Sequence, residues 1–472
     1  MKNSMKLQIT NYKLQILTAI LLGSLLRTAS AQTAKDTGKF SFSLKQCIDY
    51  AMQNQTSMKN ATLEEAIAAS KVKEITGIGL PQINTSAQLS NNDPLRRMFT
   101  AGDGVHPNFL AGGQVIPKGE VIAVPNVFQL KAGGDVGATI TQLIFSSSYF
   151  IGLKAAKTYK ELSAKSTQLT KIQVTEGVTK AYYLVLINEE RIKLFDKNVI
   201  RIDSMLKQTQ VMHTNGFVEK IDVDRIEVAY NNLQTEREKF NNLLAMSKLL
   251  LKYQMSMPLG ADLSLTEKMA DYKSVVSPPD ATQKPNFSAR IEYSLLESQK
   301  KLQLLDIKNH KLACLPRIAA FANAGWFSQS PTFNYFSEKN LWYNYGMYGL
   351  SLNLPIFDGL QNARQTQQSK LKLQELDNNI ASLEQSIELQ MRTSEISLKN
   401  GLSSLAAQNK NMELASEVAQ VTKAKYKQGV GTSLEVTSAE TSLLESQTNY
   451  YNALYDVLIS KVDYDKATGT IK

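Results

Sequence analysis

The stretch Tyr345-Gly-Met-Tyr-Gly-Leu-Ser-Leu-Asn-Leu-Pro-Ile-Phe-Asp-Gly-Leu-Gln-Asn-Ala-Arg364 changes its period half-way along. In the first half Leu350, Leu352 and Leu354 alternate with Ser351 and Asn353. A period of two predicts a strand with one apolar and one polar face. Pro355 removes a ladder donor and Asp358-Gly359 supplies turn chemistry, so the strand stops there. Beyond Gly359 the apolar residues Leu376, Ile380, Leu383 and Ile387 step by four, three and four, a helical seam. A half-buried strand therefore passes a pivot at Pro355 and Gly359 and enters a very long helix.

The same order of elements is legible elsewhere in the chain. Residues 43–78 have a helical pattern that stops at Gly77-Ile-Gly79. A strand over 81–90 follows, with Ile83, Thr85, Ala87 and Leu89 alternating with Asn84, Ser86, Gln88 and Ser90. Residues 91–134 are rich in Gly, Pro and Asn and read as a long loop. A second strand over 135–146 leads to a helix over 148–214, about 100 Å long at about 1.5 Å per residue. Thr214-Asn-Gly216 breaks that helix, and another runs over 218–254. Residues 261–288, with Pro278, Pro279 and Pro285, read as a linker.

Then the pattern starts again, with a helix over 290–311. Leu315-Pro316-Arg-Ile318 repeats Leu80-Pro81-Gln-Ile83 at an offset of 235 residues. Gly429 and Glu435 stand 213 residues after Gly216 and Asp222. The second unit comprises a strand over 316–328, a loop over 329–342, a strand over 343–357 and helices over 359–427 and 433–467. Two repeats, 32–260 and 289–472, flank the linker. The strand, the Pro-x-Phe-x-Gly pivot, the helix behind it and their duplication resemble the TolC family of outer-membrane efflux channels. That resemblance covers nearly the whole chain after the leader.

Composition agrees with an exported protein. Lys2, Lys6 and Lys13 precede an apolar run over 14–26, and Ala29-Ser-Ala31 offers a small-x-small cleavage site. Residues 1–31 read as a signal peptide; a membrane anchor would need roughly 20 apolar residues. The net charge is +10, of which four charges belong to this leader. What is left is spread along the chain and points to no nucleic-acid partner. Cys47 and Cys314 are the only cysteines, and free thiols are the simpler reading than a disulfide. No later run is long and apolar enough for a spanning helix, so a membrane role must come from strands.

Four strands of about ten residues match the length of tilted membrane-spanning strands. Four cannot close a barrel, since the smallest have about eight, and open edges do not exist in lipid. The expected fold is thus an α+β membrane protein in which several chains share one transmembrane β-barrel, continued by a coiled-coil wall of polar helices. The resemblance implies a homotrimer in the outer membrane lipid, with the helical barrel in the periplasm. Trp326, Phe327, Phe333, Tyr335, Phe336, Trp342, Tyr343 and Tyr345 cluster at one end of the second strand pair, as an interfacial girdle would. Ordinary packing beside a loop is the alternative.

Catalytic chemistry has no foothold. His106, His213 and His310 are scattered, and no CxxC, HExxH, P-loop or nucleophile elbow occurs. Gly429-Val-Gly431-Thr is a fragment of a dinucleotide fingerprint, but no strand precedes it, so it reads as a turn. The expectation is a protein that is no enzyme and carries no cofactor or metal.

The resemblance places function at the two helix–helix turns, the periplasmic mouth against which an adaptor docks beneath an inner-membrane pump. It implies adaptor docking at Gly216, Phe217, Val218, Gly429, Val430 and Gly431. It implies a tunnel constriction at Asp222, Asp224, Tyr426 and Glu435. Gly431 and Ser438 depart from the prototype, which has an arginine and an acid there, so a resting lock would use other partners, such as Lys220 or Arg225. Asp222 and Glu435 equally suit a helix N-terminus, where acids are stabilising by about 0.3–1 kcal/mol. The expected function is the passive exit duct of a tripartite efflux or type I secretion system. The alternatives are a non-conducting periplasmic coiled-coil scaffold or adaptor, and an adhesin built on long helices.

Overall fold

The computed structural model describes residues 39–471 apart from 125, 127, 273–277, 279–285 and 334–340. The signal peptide, Pro279, Pro285, Tyr335 and Phe336 lie outside the described residues. Strands β1 to β10 are Lys39–Phe42, Gln82–Asn91, Met98–Ala101, Pro107–Asn108, Gln114–Val115, Val121–Val124, Ala132–Phe145, Asp262–Leu265, Arg317–Ser330 and Tyr343–Asn353. Helices α1 to α7 are Leu44–Asn54, Thr56–Ile78, Ser147–Thr214, Lys220–Gln254, Ile291–Lys311, Gln361–Lys427 and Ser433–Ala467. The chain divides into two compact units, and α3, α6 and α7 run through both.

One unit contains residues 55–176, 276–410 and 452–472. Its sheet has the order β10-β9-β7-β2, antiparallel throughout, with a register shift in β7 between Leu143 and Phe145. The register sorts the side chains into two faces. Ile83 and Leu89 of β2, Val136, Ala138 and Ile140 of β7, Ile318, Ala320, Ala322, Ala324 and Trp326 of β9, and Tyr348, Leu350 and Leu352 of β10 share one. The other carries Asn84, Ser86, Gln88, Asp135, Thr139, Thr141, Asn323, Ser351 and Asn353. On the apolar face Leu350 is 74% exposed, Leu352 66% and Ile83 68%. The outer strands β2 and β10 have one strand partner each among the described residues.

The register corrects the girdle. Trp326 lies on the apolar face, whereas Phe327, Tyr343 and Tyr345 lie on the polar one. Phe327 packs 6.2 Å from both tyrosine rings. Adjacent residues in a strand face opposite ways, so a cluster in sequence is not a belt in space.

Three further expectations need correction. The loop 91–134 holds two antiparallel pairs, β3 with β6 and β4 with β5. Their strands are two to four residues long, too short to show a period. The linker 261–288 contains β8, which pairs in parallel with β1. The helix 43–78 is two helices, because Gln55 between them is extended (φ −65°, ψ 132°).

The long helices are built from straight-chain residues of good helix propensity. At the pivot Gly359 and Leu360 both take left-handed conformations, φ +65° and +66°. The Asp358 carboxylate then accepts the Asn362 N–H at 3.0 Å and caps the first turn of α6. Gly401 is the one glycine inside α6. A Cβ there would come within 3.1 Å of Val457 on α7, so close helix packing accounts for it.

The other unit contains residues up to 54, 177–275 and 411–451. Its helices meet through an apolar seam in which Phe195, Ile202, Met205 and Leu206 of α3 pack with Val223, Ile226 and Leu233 of α4 and Val436 of α7. The spacings 195–202 and 226–233 are heptad steps of a coiled coil. The β1–β8 pair is held by Glu267, whose carboxylate accepts hydrogen bonds from the Tyr182 hydroxyl at 2.9 Å, the Leu44 N–H at 3.2 Å and the Tyr272 hydroxyl. Cys47 is fully buried there, and burial pushes its thiol up to about 12; Cys314 is exposed, and both are free.

Candidate functional site

The two helix–helix turns share one backbone design. Gly216 (φ +79°) donates its N–H to the His213 carbonyl, and Phe217 to that of Met212, both at 2.9 Å. Gly429 (φ +76°) donates to Tyr426 at 3.0 Å, and Val430 to Lys425 at 3.1 Å. These paired bonds around a left-handed residue close a helix without leaving its last carbonyls unpaired. A Cβ on Gly216 or Gly429 would meet nothing within 4 Å. Beside them Phe217 is 78% exposed and Val430 75%. Each turn therefore presents an open glycine next to a bare apolar side chain.

The remaining docking residues serve the turns themselves. The carbonyl of Val218 accepts a hydrogen bond from the His213 ring at 3.0 Å. Gly431 is packed tightly, since a Cβ there would lie 3.0 Å from the Tyr426 nitrogen. The departure from an arginine at this position thus coincides with a close approach of backbone to backbone.

The constriction residues separate into different roles. Asp222 accepts a hydrogen bond from the Ser433 hydroxyl, which ties α4 to the start of α7. Arg225 stands 3.7 Å from the same carboxylate oxygen. Tyr426 is buried in the apolar seam, and its hydroxyl is 2.9 Å from that of Thr209. Asp224 is exposed. Glu435 accepts the Thr432 N–H at 3.4 Å while the Thr432 hydroxyl accepts the Glu435 N–H at 3.2 Å. That reciprocal pair is a capping box. Asp222, Tyr426 and Glu435 are thus all engaged within the chain.

Sequence reasoning missed the charge pair between Arg201 on α3 and Glu440 on α7, 2.6 Å apart with Glu440 buried. It borders a cavity of about 50 Å³ lined by Asn198, Leu233, Thr437 and Leu444 among others. Burial pushes the Glu440 carboxyl above its ordinary range, and the opposing Arg201 and Lys423 do not cancel the effect. A signal was present: Glu440 occupies the apolar step between Val436 and Leu443.

Residues 288–470 match the family model described as outer membrane efflux protein. The outer membrane protein TolC of Escherichia coli K12 is 22% identical over 339 residues, covering 70% of this chain and 68% of TolC. The second half of the chain thus matches the outer membrane efflux protein family, and the chain resembles TolC over most of its length. Among solved structures, the fold is shared with CusC at TM-score 0.70 and 13% identity, covering 93% of this chain and 95% of CusC. The open state of the Neisseria gonorrhoeae MtrE channel superposes at TM-score 0.68 with 17% identity, covering 90% of this chain and 88% of MtrE. The family match and the likeness to TolC indicate the outer membrane, with the helical part in the periplasm. The family is one of channels.

Proposed function

We propose that three copies of this chain form one exit duct that passively conducts solutes delivered by an inner-membrane pump and its periplasmic adaptor. The observation that carries this reading is the sheet. It has four strands, one bare apolar face, one polar face and two outer strands that each lack a second neighbour among the described residues. In lipid such edges must be closed, and three chains supply twelve strands for one barrel. The recurrence of helix, strand pair and two helices along the chain supports a tandem duplication. The duct itself does no chemistry, and its energy comes from partners.

The turns supply the adaptor's docking surface, with Gly216, Phe217, Gly429 and Val430 at its centre. Asp222 and Asp224 contribute to the constriction, with Arg225 and Ser433 as the resting partners of Asp222. Substituting Gly429 by Leu places a bulky side chain in open space and costs about 1–2 kcal/mol for the left-handed backbone. Asn tolerates that backbone and is smaller. Gly429→Leu should assemble and insert normally, because the sheet belongs to the other unit, yet abolish export, while Gly429→Asn retains it. Normal export by Gly429→Leu would remove the docking role; failure of Gly429→Leu to assemble would reduce Gly429 to a helix stop.

A further inference from the structure

On the polar face of the sheet, near the end that carries the strand connections, one carboxylate has a built support. Asp135 is the fourth residue of β7 and pairs with Phe327 of β9 and Gln88 of β2. Tyr345 enters from β10, two strands away, and donates its hydroxyl to the Asp135 carboxylate at 3.2 Å. Its ring crosses two glycines on the way. A Cβ on Gly325 would lie 2.6 Å from the Val136 carbonyl oxygen, 2.8 Å from the Gly137 Cα and 2.9 Å from the ring, and one on Gly137 would lie 2.7 Å from the hydroxyl. Gly137 and Gly325 are register partners, so the two bare positions form one track across β7 and β9. Strand interiors disfavour both Gly and Asp, and here two glycines and an aspartate are combined to lay one tyrosine flat on the sheet.

We propose that Asp135, oriented by Tyr345, is a charge-selective station of the duct that favours cations over anions. The inference rests on the duct reading, in which this face lines the lumen. The hydrogen bond alone does not require a charge, because an asparagine carbonyl would accept the same hydroxyl. What an aspartate adds is a fixed negative charge. The polar-face partners on these strands carry one other charge, Arg317, at the far end of β9. The rings of Phe327 and Tyr343 stand beside the carboxylate's row, and aromatic faces also attract cations. In a three-chain barrel the charge is repeated three times around one water-filled passage with low-dielectric walls, which focus its field.

The test is the reversal potential of the full-length protein in a planar bilayer across a KCl gradient. Wild type is expected to favour potassium over chloride. Asp135→Asn, which keeps the acceptor, should lower the permeability ratio roughly twofold or more, the scale of three wall charges acting across water. Asp135→Glu should keep the ratio. Ser86→Arg, on the exposed strand beside Gly137, should lower it by offsetting the charge, and decides the matter if Asp135→Asn does not insert. Conducting channels whose ratio is unmoved by Asp135→Asn or by Ser86→Arg would overturn the station. A wild type that inserts but passes no current even with the helical turns open would overturn the duct reading beneath it.

Discussion

Glu440 shows how burial and charge compete at a single residue. It lies in the apolar seam at 5% exposure, 2.6 Å from Arg201, yet its carboxyl is pushed upward, so desolvation outweighs the ion pair. A carboxyl raised in the folded state contributes stability that is complete below its unfolded value and is lost as pH rises through the folded value. Glu440→Gln mimics the protonated form and abolishes that loss. Thermal unfolding of wild type and variant should therefore diverge with pH, the balance moving in the variant's favour as pH rises above the ordinary carboxyl range. A difference that stays constant, or moves the other way, would show that Arg201 dominates. Asp222 and Glu435 illustrate what sequence can and cannot reveal at this scale. The sequence placed both in the first turn of a helix, where the structure puts them. That Glu435 closes a capping box with Thr432, while Asp222 reaches the other helix through Ser433, depends on three-dimensional neighbours.

The strands are the elements whose two faces matter most. The alternation of Leu350, Ser351, Leu352 and Asn353 was enough to assign opposite faces, because a strand's period is two whatever it packs against. Leu352 is paired with Ile318 and Ser351 with Ala319, so the two substitutions test opposite faces of one ladder. Leu352→Arg should destabilise the inserted protein by about 2–4 kcal/mol if the residue sits at the bilayer midplane. Ser351→Arg should fold and change conductance instead. Urea titration in lipid vesicles, read by tryptophan fluorescence, separates the two, and equal tolerance would contradict the assignment of faces. The long helices were legible for a similar reason: over 67 residues a helical period is hard to miss, and turn glycines mark the ends. The hairpins within 91–134 and the β1–β8 pair were not. Their strands have at most four residues, and the parallel pair joins segments more than 200 residues apart.

For the whole molecule, the sheet poses the problem that the proposed assembly would solve. A chain with bare Leu350 and Leu352 on one face, and outer strands with one neighbour each among the described residues, is incomplete as a membrane-spanning body. The family match over residues 288–470 points to the outer membrane, and the proposed trimer would close the edges in one shared barrel. The alternative of a periplasmic scaffold leaves the apolar face of the sheet without a solvent it prefers. The most direct test is to insert the purified, full-length protein into a planar lipid bilayer and record current under voltage clamp. The account predicts stable steps of ionic conductance that scale with salt concentration and require no nucleotide. Protein that is inserted in the bilayer, verified by protection of its strands from protease, and yet carries no current with the helical turns open would contradict it.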